Sequence, residues 1–403
     1  MLSPSTPPRP GFWLPIFAGL CASLVSIGLA RFAYTPLIPS LIEAHWFSAS
    51  DVVSLGAANL VGYLIGALIG HPLARHTSNN TALRLMMLAV TLAFFACAFP
   101  LSVSWFFGWR LLSGIAGGAI MVLVAGTVLP HVPASRKGLA SGAIFLGIGL
   151  GIAGSGTIVP PLLSLGLQQT WLGLGALALI LTVASWFAWP SATSRTTPTL
   201  ADAKSINPKV YLLFAQYALM AVGLVPAMVF LVDYVARGLG AGQHVGGLIW
   251  VMYGLGAIIG PVSYGFLADR LGAQMSIRLV LVVQAIALGL LSMCSAFTAL
   301  ALLAVILGSF PPGIVPLGLA RVHELIPEHH PQQIAWSRAT VSFATFQAMA
   351  GFAYSVLFNA SGGHHGLMFV IAAGAIVVAL LLELVVRLPT RSDEKICANT
   401  AIT

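Results

Sequence analysis

The sequence predicts an all-α membrane protein, with twelve transmembrane helices set as two pseudo-symmetric six-helix bundles. Three observations lead there: composition, the number of long apolar stretches, and the sorting of basic residues between loops. Of 403 residues, 58% are hydrophobic and only 7% charged, and mean hydropathy is +0.96. A soluble chain carries about a quarter charged residues because its surface faces water. Most of this surface must face hydrocarbon instead.

The elements follow in order. Met1 to Pro10 is rich in Pro and Ser. The apolar run after it outlasts a signal-peptide core and lacks a small-residue cleavage site, so it reads as a retained first span over 12–41. About 20 apolar residues cross ~30 Å of hydrocarbon. Breaking the chain at polar, Pro and charged clusters gives eleven further spans of that kind, at 50–73, 81–100, 104–129, 137–163, 168–189, 208–236, 244–268, 275–295, 299–325, 333–359 and 365–387. Two places test the count: Pro311-Pro312-Gly313 inside the tenth span, and the tight Pro100–Trp105 junction between the third and fourth.

The count also sorts the charges. Arg9, Arg75, Arg84, Arg136, Lys137, Arg195, Lys204, Lys209, Arg270, Arg278, Arg321, Arg338, Arg387, Arg391 and Lys395 fall on one side, fifteen of the eighteen Lys and Arg. Only Arg31, Arg110 and Arg237 remain on the other side or within the membrane. Basic residues collect on the cytoplasmic side, so both termini are expected in the cytoplasm of a cell whose inner membrane holds the chain. The polar stretch at 190–207 reads as a cytoplasmic linker between bundles at 1–189 and 208–387, with a short tail at 388–403. Shifting the sequence by 194 positions lays Leu73-Ala74 on Leu267-Ala268 and Arg84-Leu85 on Arg278-Leu279, which points to an internal duplication. Parallel repeats around a midplane site are a transporter architecture.

Several motifs carry a family resemblance. Gly265-Phe266-Leu267-Ala268-Asp269-Arg270-Leu271-Gly272 resembles the inner-loop signature of the major facilitator superfamily, and Trp109-Arg110-Leu111-Leu112-Ser113-Gly114 its fourth-helix signature. The runs Gly28 to Pro36, Val232 to Gly240 and Ala335 to Thr340 are similar to the YbfB/YjiJ-type branch. The resemblance spans essentially the whole chain. It implies a secondary active transporter that works by alternating access, coupled to protons. Two departures leave direction open: Arg75 stands at the acidic position of the first-half loop, and the glycine-rich fifth span lacks the Gly-Pro pair of antiporter signatures.

Candidate site residues divide by role. A charged residue in mid-span is costly and faces a cavity or a partner. Arg31 is therefore either an anchor for an anionic group or a snorkelling residue paired with Glu43 or Asp51. Arg110 has the same two readings, and the resemblance links its position to proton coupling. With both arginines on a central cavity, that wall would favour a carboxylate, whose geometry a guanidinium fork matches. Tyr34, Asn59, Gln216, Tyr217 and Gln347 are polar groups in spans that could meet a solute or bridge helices. Asp233 is a candidate proton carrier, or the ion-pair partner of Arg237 one turn on. The resemblance implies a gate in which Asp269 and Arg270 meet the start of the fifth span at Arg136, Lys137 and Gly138. Arg75 and Arg338 repel at the mirror position, so the gate is expected to be lopsided. Gly62, Gly66 and Gly70, and Gly256 and Gly260, recur every four residues and should let helices approach closely.

Other functions fit poorly. His323-Glu324-Leu325-Ile326-Pro327 begins like a zinc-protease motif but has Pro where the second His must stand, and there is no nucleophile elbow or phosphate loop. The chain is not expected to be an enzyme. The His364-His365 pair and the scattered Cys21, Cys97, Cys294 and Cys397 suggest no metal site. No cofactor and no nucleic acid are expected. The partners are a small-molecule solute, the bilayer and a coupling proton, and the chain is expected to act as a monomer. The solute reads as an organic anion, because the first bundle has no mid-span acid. The alternatives are efflux of amphipathic drugs and a sensor on a transporter scaffold.

Overall fold

The computed structural model describes residues 11–133, 136–190, 208–326 and 329–385. It contains twelve helices long and apolar enough to cross a membrane. They are α1 (Trp13–Glu43), α2 (Ala49–His76), α3 (Asn79–Cys97), α4 (Val103–His131), α5 (Ala140–Leu163), α6 (Leu167–Ser185), α7 (Val210–Gly238), α8 (Gly242–Leu271), α9 (Ala273–Leu291), α10 (Phe297–Leu325), α11 (Ala335–Ala360) and α12 (His365–Leu384). Both tests of the count are passed. α10 runs through Pro311 and Pro312, and Ser102 separates α3 from α4 by accepting from the Trp105 amide as an N-cap. The expected linker, beyond Pro190, and the tail lie outside the described residues.

The first span differs from the single continuous helix expected. It passes from α-helix into a π turn at Leu24–Leu29, breaks at Ala30 and Arg31, and continues as a 3-10 segment over Phe32–Leu37. Pro36 and Pro39 account for the second half: neither ring nitrogen can donate, and each ring clashes with the carbonyl four residues back. The seventh span also ends in a π turn, at Tyr234–Gly238.

Within each half one glycine seam sets the packing. A Cβ on Gly62 would strike the Leu111 carbonyl, one on Gly66 the Ile115 carbonyl, and one on Gly114 the backbone of Asn59. In the second half Gly256 faces Val305, Gly260 faces Ser309, and Gly308 faces Tyr253 in the same way. Every one of these six residues and partners is related to its counterpart by the offset of 194 read from the sequence. The duplication thus survives as a backbone-to-backbone contact of α2 with α4 and of α8 with α10. Glycine is required there because any side chain would prop the helices apart.

The halves meet along α1–α7, α2–α11 and α5–α8. Thr35 Oγ1 donates to the Met228 carbonyl at 2.8 Å, Ser54 and Ser355 hydroxyls lie 2.9 Å apart, and Asn359 Nδ2 donates to Ser50 Oγ at 2.6 Å. Trp250 Nε1 donates to Ser155 Oγ at 3.1 Å, and Gly254 packs on Ala153. These joints lie at mid-helix or toward the end remote from the linker. At the linker end of α8, Val262, Ser263, Phe266, Asp269 and Arg270 are exposed. The hydrogen bonds between the halves thus gather at mid-helix and away from the linker end.

Replacing Gly66 or Gly260 by Leu should abolish the monodisperse peak in size-exclusion chromatography of detergent-extracted protein. Gly265→Leu and Gly289→Leu, whose added Cβ would meet nothing within 4 Å, should elute normally. A normal profile for Gly66→Leu would show that the seam does not hold the half together.

Candidate functional site

The break in α1 determines the site. Where the helix is interrupted, the Ala30 carbonyl turns out of the ladder, and hydrocarbon supplies no donor for it. Arg110 does: its Nη1 donates to the Ala30 carbonyl at 2.5 Å and its Nε to the Leu55 carbonyl at 3.5 Å. Its guanidinium also lies 4.2 Å from the centre of the Tyr34 ring, whose hydroxyl donates to the Val52 carbonyl at 2.6 Å. Arg110 and Tyr34 are therefore buried inside the first half, tying α1, α2 and α4 together. Of the two readings of Arg110, the contacts seen are structural, because its donors are aimed at the Ala30 and Leu55 carbonyls.

Arg31 is placed differently. Its Nε donates to Asn59 Oδ1 at 3.4 Å and its Nη1 to Gln347 Oε1 at 3.3 Å, so it touches both halves of the molecule at once. Its guanidinium lies over the Tyr63 ring at 4.2 Å. Its Nη2 is buried and has no hydrogen-bond partner among the described residues. Asn59 is held in register by its own donors, since Nδ2 reaches Ser113 Oγ at 3.0 Å and the Arg110 carbonyl at 3.4 Å. That leaves its oxygen for Arg31. The snorkelling alternative fails: Asp51 accepts from Ser48 Oγ at 2.6 Å at the start of its own helix, and no ion pair joins Arg31 to it or to Glu43 among the described residues.

On the facing side, the Tyr217 ring is 4% exposed and packs on Phe343 at 4.7 Å and Trp336 at 5.9 Å. Its hydroxyl makes no hydrogen bond among the described residues. Phe343 lies one turn from Gln347 on α11, toward the linker end. Arg31, Asn59, Gln347 and Tyr217 thus converge about the interface, joined by Tyr63, which the sequence did not single out. Gln216, expected there, is committed elsewhere: its Nε2 donates to Glu383 Oε2 at 2.9 Å and to the Ala379 carbonyl at 3.3 Å.

Two buried charge clusters occupy the second half. Asp233 accepts from Arg237 Nε at 2.5 Å, from Arg237 Nη2 at 2.6 Å, and meets His365 Nε2 at 2.7 Å. This is the ion pair with Arg237, widened by His365 at the start of α12. The His365 ring is enclosed by Phe230, Tyr234 and Phe358. It lines an 820 Å³ surface pocket with Arg237 and Asn359, at the end remote from the linker. The other cluster was missed. Arg321, fully buried, donates to Glu383 Oε1 and Glu324 Oε2, each at 2.9 Å. Glu324 Oε1 accepts from the Ala273 amide at 2.7 Å, just after Gly272 at φ +78°. The turn between α8 and α9, just after Asp269, is therefore anchored to α10.

The expected gate is apart in this conformation. Asp269 and Arg270 are exposed, Arg270 lies over Phe266 at 4.9 Å, and Arg136 lies 6.0 Å from the Phe12 ring. The side chains of Lys137 and Gly138 are outside the described residues. Arg75 is exposed and makes no ion pair among the described residues.

The family model described as "Uncharacterised MFS-type transporter YbfB" matches residues 23–384. The inner membrane transport protein YdhP of Escherichia coli (strain K12) is 25% identical over 393 residues, covering 95% of this chain and 98% of that protein. The chloramphenicol resistance protein of Streptomyces lividans is 24% identical over 277 residues, covering 65% of this chain and 68% of its own length. The inner membrane metabolite transport protein YdjE of E. coli K12 is 25% identical over 131 residues, which is 32% of this chain and 29% of that protein.

Arg237→Ala leaves Asp233 with His365 alone, and breaking a largely buried pair costs on the order of 2–3 kcal/mol. Melting of the purified protein should fall by several degrees. Asp233→Asn in the same background should recover more than half of the loss, because it removes the stranded charge. Absence of any recovery would show that the cluster does not stabilise through charge pairing.

Proposed function

The chain belongs to the YbfB-type family of major facilitator transporters, and from that premise we propose that it carries a small organic anion across the inner membrane by alternating access. One observation carries the choice of solute. Arg31 is a cation at the junction of the halves, its partners are neutral, and one of its nitrogens is buried without a hydrogen-bond partner among the described residues. Both acids buried within the second half, Asp233 and Glu383, are bound to cations of that half. An anion supplied from outside is the missing counter-charge.

In this reading the linker end faces the cytoplasm, on the strength of the Lys and Arg collected there. The hydroxyl and amide contacts of α2 and α11 then join the halves toward the outer side. Proton coupling belongs to the same reading. The candidate carrier is the cluster of Asp233, Arg237 and His365, whose histidine lines a surface pocket. Efflux of neutral amphipathic compounds is the second reading, drawn from the name of the Streptomyces relative. It leaves Arg31 without a counter-charge.

Two measurements test the proposal. In a thermal-shift screen of purified protein against organic anions and neutral amphiphiles, anions should raise the melting temperature. Arg31→Ala should erase that shift without changing expression, whereas equal shifts in both proteins would reject the site. With the native cysteines removed, Ser54→Cys and Ser355→Cys should cross-link under mild oxidation. The cross-linked protein should bind anions from the linker side yet fail to exchange them across proteoliposomes. Undiminished exchange in the locked state would rule out alternating access at this joint.

A further inference from the structure

We infer that the solute is a monocarboxylate with a flat aromatic body, bound end-on to the Nη1–Nη2 edge of Arg31. This inference rests on the organic-anion reading and adds the charge and shape of the anion. The guanidinium presents five N–H groups in a plane. Tyr63 covers one face of that plane, Asn59 takes the Nε side, and Gln347 takes one hydrogen of Nη1. The second Nη1 hydrogen and both of Nη2 are left. One from each nitrogen forms the parallel fork that a carboxylate accepts in bidentate fashion.

The charge follows from counting cations at the junction. Arg31 is the unpaired one: Arg110 is capped by backbone carbonyls and lies inside the first half, and the guanidinium groups of Arg237 and Arg321 are bound to carboxylates of the second half. One negative charge neutralises the site. A second carboxylate would be buried with no cation to meet it.

The body of the solute follows from what lies below the fork. Phe343 is one turn nearer the linker end than Gln347, a step of about 5.4 Å, close to the length of a benzene ring. Phe343 and Trp336 are half-buried and packed on Tyr217, which interacts electrostatically with the half-buried Tyr63 of the first half. A carboxylate seated on Arg31 with its body toward the linker end of α11 would lie along these aromatic rings. Offset or edge-on ring contacts stabilise a flat aromatic group there beyond simple burial. The unpartnered Tyr217 hydroxyl leaves room for one polar substituent on that ring.

Calorimetric titration of the purified full-length protein with benzoate, cyclohexanecarboxylate, acetate, phthalate, citrate and benzyl alcohol tests the inference. Benzoate should bind at least about tenfold more tightly than acetate, given the apolar area its ring buries. Phthalate and citrate should bind more weakly than benzoate, and benzyl alcohol should not bind. Phe343→Ala should weaken benzoate severalfold while leaving acetate unchanged, and Arg31→Gln should abolish benzoate binding. Tighter cyclohexanecarboxylate binding would overturn the flat aromatic body. Tighter binding of citrate or phthalate, lost in Arg31→Gln, would overturn the single charge and keep the anion reading. Anion binding that is unchanged in Arg31→Gln, or absent for every anion, would overturn the anion reading itself.

Discussion

The Ala30 carbonyl is the point on which the rest of the site depends. Hydrocarbon offers no donor, so a helix that breaks in mid-membrane must find one from its neighbours. Arg110 supplies it, and in doing so spends its own charge inside the first half. Its stacking on Tyr34 and the bond from Asn59 to its carbonyl then fix α1 against α2 and α4. Beside that stabilised break, the next residue, Arg31, reaches Asn59 of its own half and Gln347 of the other. The arginine that looks conspicuous by sequence motif is structural, and its neighbour across the break meets the other half.

Much of the fold was legible because its causes are local. A run of about 20 apolar residues is a span whatever surrounds it, and the glycines spaced by four mark a close approach before any coordinates are seen. The offset of 194, first visible in two dipeptides, reappears in the seam because the same backbone contacts are needed in both halves. Even the break in α1 had its signal in Pro36 and Pro39, although their effect reaches back to Phe32 and Thr35 rather than to Arg31 itself.

The site was less legible because its partners are remote or silent in sequence. A backbone carbonyl is present at every position, so nothing singled out Ala30 as the acceptor for Arg110. Gln347 is 316 residues from Arg31, and His365 is 132 from Asp233. Arg321 was counted with the cytoplasmic charges because it lies near a helix end, yet it is fully buried against Glu383, 62 residues away. Conversely, Gln216 looked like a solute contact because a mid-span amide needs a partner. The partner was an acid on α12.

The duplication makes the asymmetry at the centre informative. By the shared offset, Asn59 corresponds to Tyr253, while Arg31 corresponds to Val225. The packing seam was kept in both copies, but the half-buried cation stands in one only. A single cation held by neutral acceptors at 3.3 and 3.4 Å is positioned without being neutralised, and such bonds lie beyond the usual N–H to oxygen range. Asn59 belongs to the same half as Arg31 and moves with it. Gln347 belongs to the other half, and one long bond to it is little resistance to separation. A solute on the Nη1–Nη2 edge would therefore travel with the first half as the second rocks away, and the neutral character of Gln347 is what permits the release.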